Sequence, residues 1–133
     1  MLPSVIKSVS STHGMNVAYI SPNGKKITYK ELDVISDEMA VWLRNEGISE
    51  GSVVGLSLPS CIEYIVSYIA LAKVGAITAG INPRFTSRER LKTLRTLDPN
   101  LVITAKGYDD GVGDQYRKTL ITLDETELIQ NQR

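Results

Sequence analysis

The densest run of anion-binding side chains in the sequence is Arg84, Arg88, Arg90, Lys92 and Arg95. Arg88, Lys92 and Arg95 are spaced to share one face of a helix. With Arg84 they form a candidate patch for a phosphate-bearing ligand, an anionic membrane surface or RNA. The competing reading is the solvated side of an amphipathic helix. No aromatic ladder accompanies the patch, and single-stranded nucleic acid would want one.

Other chemistry is thinner. The single cysteine, Cys61, sits where a helix start would lower a thiol pKa. No histidine, asparagine or aspartate partner stands with it, so a buried small hydrophobe accounts for it better. The single histidine, His13, lies in a polar N-terminal stretch, so neither a histidine-based metal cluster nor a triad can be assembled. No metal ligands and no catalytic residues are expected from these types and spacings. Gly111-Val112-Gly113 leads into Asp114 rather than Gly-Lys-Ser/Thr, which describes a plain loop and not a phosphate loop. A dinucleotide fingerprint would have to follow Val53 to Leu58, where Pro59-Ser60-Cys61 stands instead. The strand ends Pro59, Asn82 and Lys106 supply no acidic cluster for a phosphoacceptor domain.

The elements that carry these residues can be read from patterning. The chain has 133 residues, 42% hydrophobic and 23% charged, enough for one core-bearing domain. Fifteen basic and 15 acidic residues cancel, which argues against a dedicated nucleic-acid binder. The apolar run Tyr64 to Ala72 is too short to cross a bilayer, and no secretory signal is evident, so a cytoplasmic location is the default. Residues 1–15 read as a loose arm. Val17 to Ile20 and Lys25 to Thr28 flank Asn23-Gly24 and read as a β-hairpin.

Three helices follow, each opening on Ser/Thr-x-x-Glu: Thr28/Glu31, Ser60/Glu63 and Thr86/Glu89. Such capping boxes satisfy amides that the first turn orphans. The first helix should run from about Tyr29 to Glu46, with Leu32, Ile35, Met39, Trp42 and Leu43 as its apolar stripe. The second, about Cys61 to Val74, is apolar on nearly every side and should be buried, ending at Gly75. The third, about Ser87 to Leu97, should pack Leu91 and Leu94 inward and stop at Asp98-Pro99. Apolar runs at Val53 to Leu58, Ala76 to Ile81, Leu101 to Thr104 and Thr119 to Leu123 suit strands covered on both faces. Their alternation with helices predicts an α/β fold, a mostly parallel sheet flanked by helices with the hairpin at the N-terminal end. The polar tail from Asp124 is read as half a helix or nothing.

Ile27-Thr28-Tyr29-Lys30-Glu31-Leu32 resembles the first core motif of the adenylate-forming (AMP-binding) enzymes, and Leu71-Ala72-Lys73-Val74-Gly75-Ala76 resembles the second. Val54 to Tyr64 is similar to the segment usually centred on Leu-Pro-Asn. Ile81-Asn82-Pro83-Arg84-Phe85-Thr86 is similar to the Asn-Pro-x-x-Thr stretch of acyl- and aryl-CoA synthetases, which favours that branch over peptide-synthetase adenylation domains. The departures are small: Ile27 for Leu, Val74 for Ala and Ser60 for Asn.

The resemblance implies the partial N-terminal domain of the adenylate-forming synthetase fold, with residues 16–133 as a single α/β unit. In the family, carboxylic acid and ATP give acyl-adenylate and pyrophosphate, and CoA then displaces AMP to give the thioester. The phosphate loop, Mg²⁺-binding Thr-Glu pair, ribose-binding Asp and C-terminal Lys of the family do not occur in this sequence. ATP, Mg²⁺ and CoA are therefore expected as cofactors of a full-length enzyme, with none bound by this chain beyond a phosphate or CoA patch at Arg84, Arg88, Lys92 and Arg95. The expected partners are the remainder of a parent synthetase and, through uncovered surface, a second copy. The alternative is a stand-alone, non-catalytic binding module built on the same scaffold.

Overall fold

The computed structural model describes residues 2–108, 110, 112 and 120–123, the last four through their backbone. The order of elements is α1 (Leu2–His13), β1 (Val17–Ile20), β2 (Lys26–Thr28), α2 (Tyr29–Asn45), β3 (Val53–Ser57), α3 (Ile62–Val74), β4 (Ile77–Gly80), α4 (Ser87–Leu97), β5 (Leu101–Ala105) and β6 (Leu120–Leu123). The expected α/β architecture is present. β3 to β6 form a parallel sheet in the order β4-β3-β5-β6.

The hairpin forms as expected. β1 and β2 pair antiparallel, and Gly24 takes the positive φ of +86° that the turn requires. Two of the three capping boxes form. Thr28 and Glu31 exchange hydrogen bonds of 3.1 and 3.0 Å at the start of α2, and Thr86 and Glu89 do the same at α4 with 3.2 and 3.0 Å. The Ser60/Glu63 box does not. α3 starts one residue late, with Cys61 as its N-cap and no side-chain cap bond. The N3 position is then Tyr64, so Glu63 is out of register for the reciprocal bond and is buried instead. Gly75 ends α3 in the left-handed region (φ +85°), and both its amide and that of Ala76 donate to Leu71 O at 3.0 Å.

The N-terminal segment departs from expectation. Residues 1–15 read as a loose arm, yet Leu2–His13 is a helix docked on α2. Ile6 is its one buried residue among those described. Lys7 adds an ion pair to Asp33 at 3.0 Å, 26 positions away, and no local pattern can announce that.

The sheet separates two cores. Val54, Leu56, Leu101 and Ile103 point to α2 and α3, joining Leu32, Ile35, Leu43, Val66 and Leu71. The alternate position Val102 points the other way, to Ile81, Leu94 and Val112 beneath α4. Period-two alternation thus buries both faces of the central strands, as unbroken apolar runs require. Gly55 lies on the α4 side, where an added Cβ would meet Ile81 Cδ1 at 3.1 Å. Two stripe residues differ from expectation: Trp42 is 37% exposed and Leu91 only half-buried.

Candidate functional site

α4 sorts its basic residues onto two sides. Arg88, Lys92 and Arg95 are exposed and, with Leu91 and Thr96, line an open depression of about 400 Å³. Arg84, in the loop before α4, is exposed but does not line it. The structure therefore brings three of the four expected patch residues together. None of the four has a side-chain hydrogen bond or ion pair to an acid among the described residues.

Arg90 belongs to the opposite side. It is 3% exposed, and its guanidinium donates to Ser57 Oγ (3.0 Å), Asp110 O (2.6 Å), Pro83 O (3.3 Å) and Phe85 O (3.3 Å). Reading it as part of the basic run misses its role. Its position, four residues before the buried Leu94, was the available signal, because i and i+4 share a helix face. The place it fills matters. β3 is flanked by β4 on one side and β5 on the other, and a crevice opens at the carboxyl ends of such strands. Here Ser57 at the end of β3 donates to Tyr108 O (2.8 Å), Thr104 of β5 donates to Ser57 O (2.9 Å), and the Arg90 fork closes over them. Within this chain those strand ends are occupied by internal hydrogen bonds.

A second constellation was invisible locally. Asp33 and Asp37, one turn apart on α2, face Lys73 of α3 and Lys7 of α1. Lys73 Nζ lies 2.8 Å from Asp33 Oδ1, 2.7 Å from Asp37 Oδ1 and 3.0 Å from Asp33 O. Lys7 Nζ lies 3.0 Å from Asp33 Oδ2 and 3.3 Å from Asp37 Oδ2. Burial pushes the Asp33 carboxyl up, but hydrogen bonds from Lys73 and Lys7 more than offset it and hold its pKa below 3.8. Two cations on two carboxylates leave no net charge to attract a metal or substrate, so this is a clamp across α1, α2 and α3.

Cys61 lines a shallow apolar recess with Tyr19, Tyr64, Ile65 and Tyr68. Burial pushes its thiol up to about 11, the reverse of what a nucleophile needs. His13 is exposed at the end of α1 and bonds Thr12 Oγ1 at 2.8 Å. Gly111, Gly113 and Asp114, and the tail from Asp124, lie outside the described residues.

A family model described as AMP-binding enzyme matches residues 7–132. The chain belongs to that family. The 4-coumarate–CoA ligase 1 of Arabidopsis thaliana is 31% identical over 117 residues, which is 81% of this chain and 20% of the relative. The chain thus spans about one fifth of the length of the curated relatives it matches, and they place it in the acyl-CoA synthetase branch. The N-terminal subdomain of Klebsiella oxytoca NpsA, solved in complex with 3-hydroxybenzoyl-AMSN, superposes with a TM-score of 0.77 at 26% identity, over 97% of this chain and 31% of that one. The inhibitor-bound N-terminal domain of FACL13 from Mycobacterium tuberculosis gives a TM-score of 0.82 at 21% identity, over 96% and 35%. That second likeness speaks for the fold alone. In this AMP-binding enzyme chain, the two motif segments that resemble the family build scaffold: Thr28 and Glu31 cap α2, while Lys73 clamps α3 to α2 and Gly75 ends α3.

Proposed function

We propose that the chain forms the N-terminal scaffold of an AMP-forming acyl-CoA synthetase and does not turn over substrate by itself. The reaction of the whole enzyme would join a carboxylic acid, ATP and CoA into acyl-CoA, AMP and pyrophosphate, in a cytoplasmic pathway such as fatty acid metabolism. The observation that carries this reading is the 31% identity to a 4-coumarate–CoA ligase over 81% of the chain but only 20% of the ligase.

We place the ATP and Mg²⁺ sites outside the described residues, although a nucleotide-bound Mg²⁺ asks for only one or two carboxylates. Among those described, no group of three or more His, Cys, Asp or Glu side chains could hold a metal, and the Asp33/Asp37 pair is already neutralised by lysines. The carboxyl ends of β3 and β5 are filled by Ser57, Thr104 and Arg90. We assign the adenylation and thioester steps to parts of the enzyme beyond these residues, in keeping with the one fifth of the relatives' length that the chain spans. No described helix is long and apolar enough to cross a membrane.

The experiment is a pyrophosphate-release assay with ATP, CoA and a panel of aliphatic and hydroxycinnamic acids. The 133-residue chain should give no signal above blank. A chimera in which it replaces the matching segment of a 4-coumarate–CoA ligase should regain release. Turnover by the chain alone, or a folded but dead chimera, overturns the proposal. Partners follow from the same reading. Exposed Val17, Ile20, Tyr68 and Ile77 leave apolar surface for the rest of the synthetase or a second copy to cover. Light scattering at rising concentration should show self-association of the isolated chain.

A further inference from the structure

The outer face of α4 is left over once the scaffold role is accounted for. The helix spends its other charged groups internally: Glu89 closes the capping box, and Arg90 is buried under four hydrogen bonds. Arg88, Lys92 and Arg95 are not so used. They follow one another at i, i+4 and i+7 on the exposed side, around a depression of about 400 Å³ floored by Leu91.

Three features distinguish this face from a plain solubility face. First, like charges at i and i+4 destabilise a helix, and a surface chosen for solubility interleaves glutamates there. Arg88 and Lys92 stand in that repulsive relation with no acid among the described partners. Second, the chain as a whole has no net charge, so the cluster is a local concentration and not a share of a general excess. Third, the cations that carry load elsewhere are engaged, Lys7 and Lys73 by carboxylates and Arg44 and Arg90 by carbonyl or hydroxyl oxygens, whereas no such partner reaches these three among the described residues.

We infer that the α4 face of Arg88, Lys92 and Arg95 is a binding site for a phosphate-bearing ligand. Seven residues of helix span about 10 Å at a rise of 1.5 Å each. That reach suits a ligand with more than one anionic oxygen cluster, such as a diphosphate or adjacent headgroups. Two guanidinium forks can each take two phosphate oxygens, and Lys92 between them supplies a compact charge. Leu91 gives the open depression an apolar lining, while Thr96 donates its hydroxyl to Lys92 O at 3.1 Å and so offers its oxygen only as an acceptor. All the groups needed lie within this chain.

The test titrates the 133-residue chain with inorganic pyrophosphate by calorimetry, and separately co-sediments it with phosphatidylcholine vesicles with and without about one third phosphatidylglycerol. Two variants carry the same change in net charge: R88E/K92E/R95E on the α4 face, and K26E/K30E/K106E on exposed lysines elsewhere. Binding should fall at least about tenfold in the α4 variant and stay within about twofold in the control, and it should weaken between about 50 and about 200 mM salt. Saturation by pyrophosphate identifies a free phosphate ligand; vesicle binding without it identifies a lipid headgroup. Lys92→Gln, which keeps a good helix former, should by itself weaken the probe that binds about threefold, so the result stands even where the triple variant misfolds. Equal losses in both triple variants, or binding of neither probe by the unaltered chain, overturn the inference.

Discussion

Lys73 on the last turn of α3 and Asp33 on the first turns of α2 meet at 2.8 Å with side chains only 9% and 10% exposed. The lysine also reaches Asp33 O and Asp37, so a single ammonium satisfies three acceptors on one neighbouring helix. Arg44, near the other end of α2, donates to Lys73 O at 3.1 Å, covering a carbonyl that the end of α3 leaves open. The α2–α3 interface is thus closed by polar contacts as well as by Leu32, Ile35, Val66 and Leu71.

Lys73 is the buried one of the two cations on Asp33, and its loss leaves that carboxylate with the exposed Lys7 alone. Lys73→Met should lower stability in urea by about 3 kcal/mol. Lys73→Met with Asp33→Leu should recover much of that, because the desolvation penalty then disappears from both sides. A double-mutant cycle by urea denaturation measures the coupling, and additive losses would refute the clamp.

The same pair sets an acid limit. Asp33 titrates below its ordinary 3.8 in the folded chain. A depressed carboxylate binds fewer protons folded than unfolded, so its contribution is present above pH 3.8 and is lost as pH falls through its folded value. Unfolding midpoints followed from pH 6 down to pH 2 should fall more steeply in the native chain than in Asp33→Asn. Parallel curves would remove Asp33 from the account.

Arg90 holds four acceptors from three segments, and a single ammonium cannot reproduce a planar fork. Arg90→Lys should therefore be nearly as damaging as Arg90→Met, each costing about 3 kcal/mol or more by chemical denaturation. Arg88→Lys, on the exposed face of the same helix, should change stability by less than about 0.5 kcal/mol. A tolerant Arg90→Lys would mean that charge, not geometry, is what the strand ends require.

Cys61 should be a slow thiol. Raised from 9.0 to about 11, it carries about a hundredfold less thiolate near neutral pH than an unperturbed cysteine. Reaction with a disulfide reagent at pH 8 should be about tenfold slower in the folded chain, because the more basic thiolate that does form is the better nucleophile, and become normal in urea. Fast native labelling would show that the recess with Tyr19 and Tyr64 opens.

Much of this protein was decided locally. Thr28/Glu31 and Thr86/Glu89 mark two helix starts because the capping box is a contact between residues three apart. Asn23-Gly24 and Gly75 mark chain reversals because their conformational freedom is intrinsic to those residues. The apolar runs of β3 and β5 announce strands buried on both sides for the same reason, since each is a pattern written along the chain. Other decisions needed the chain to close on itself. The order β4-β3-β5-β6, the docking of α1 through Ile6 and Lys7, the clamp of Lys73 on Asp33, and the burial of Arg90 under Ser57 all join residues far apart in sequence. A local pattern states which side chains are apolar or charged; only packing settles which charged ones leave water, because that depends on whether distant acceptors arrive to replace it. Arg90 and Arg88 are the same amino acid two positions apart, and the second core beneath α4 is what separates a hidden strut from an open hand.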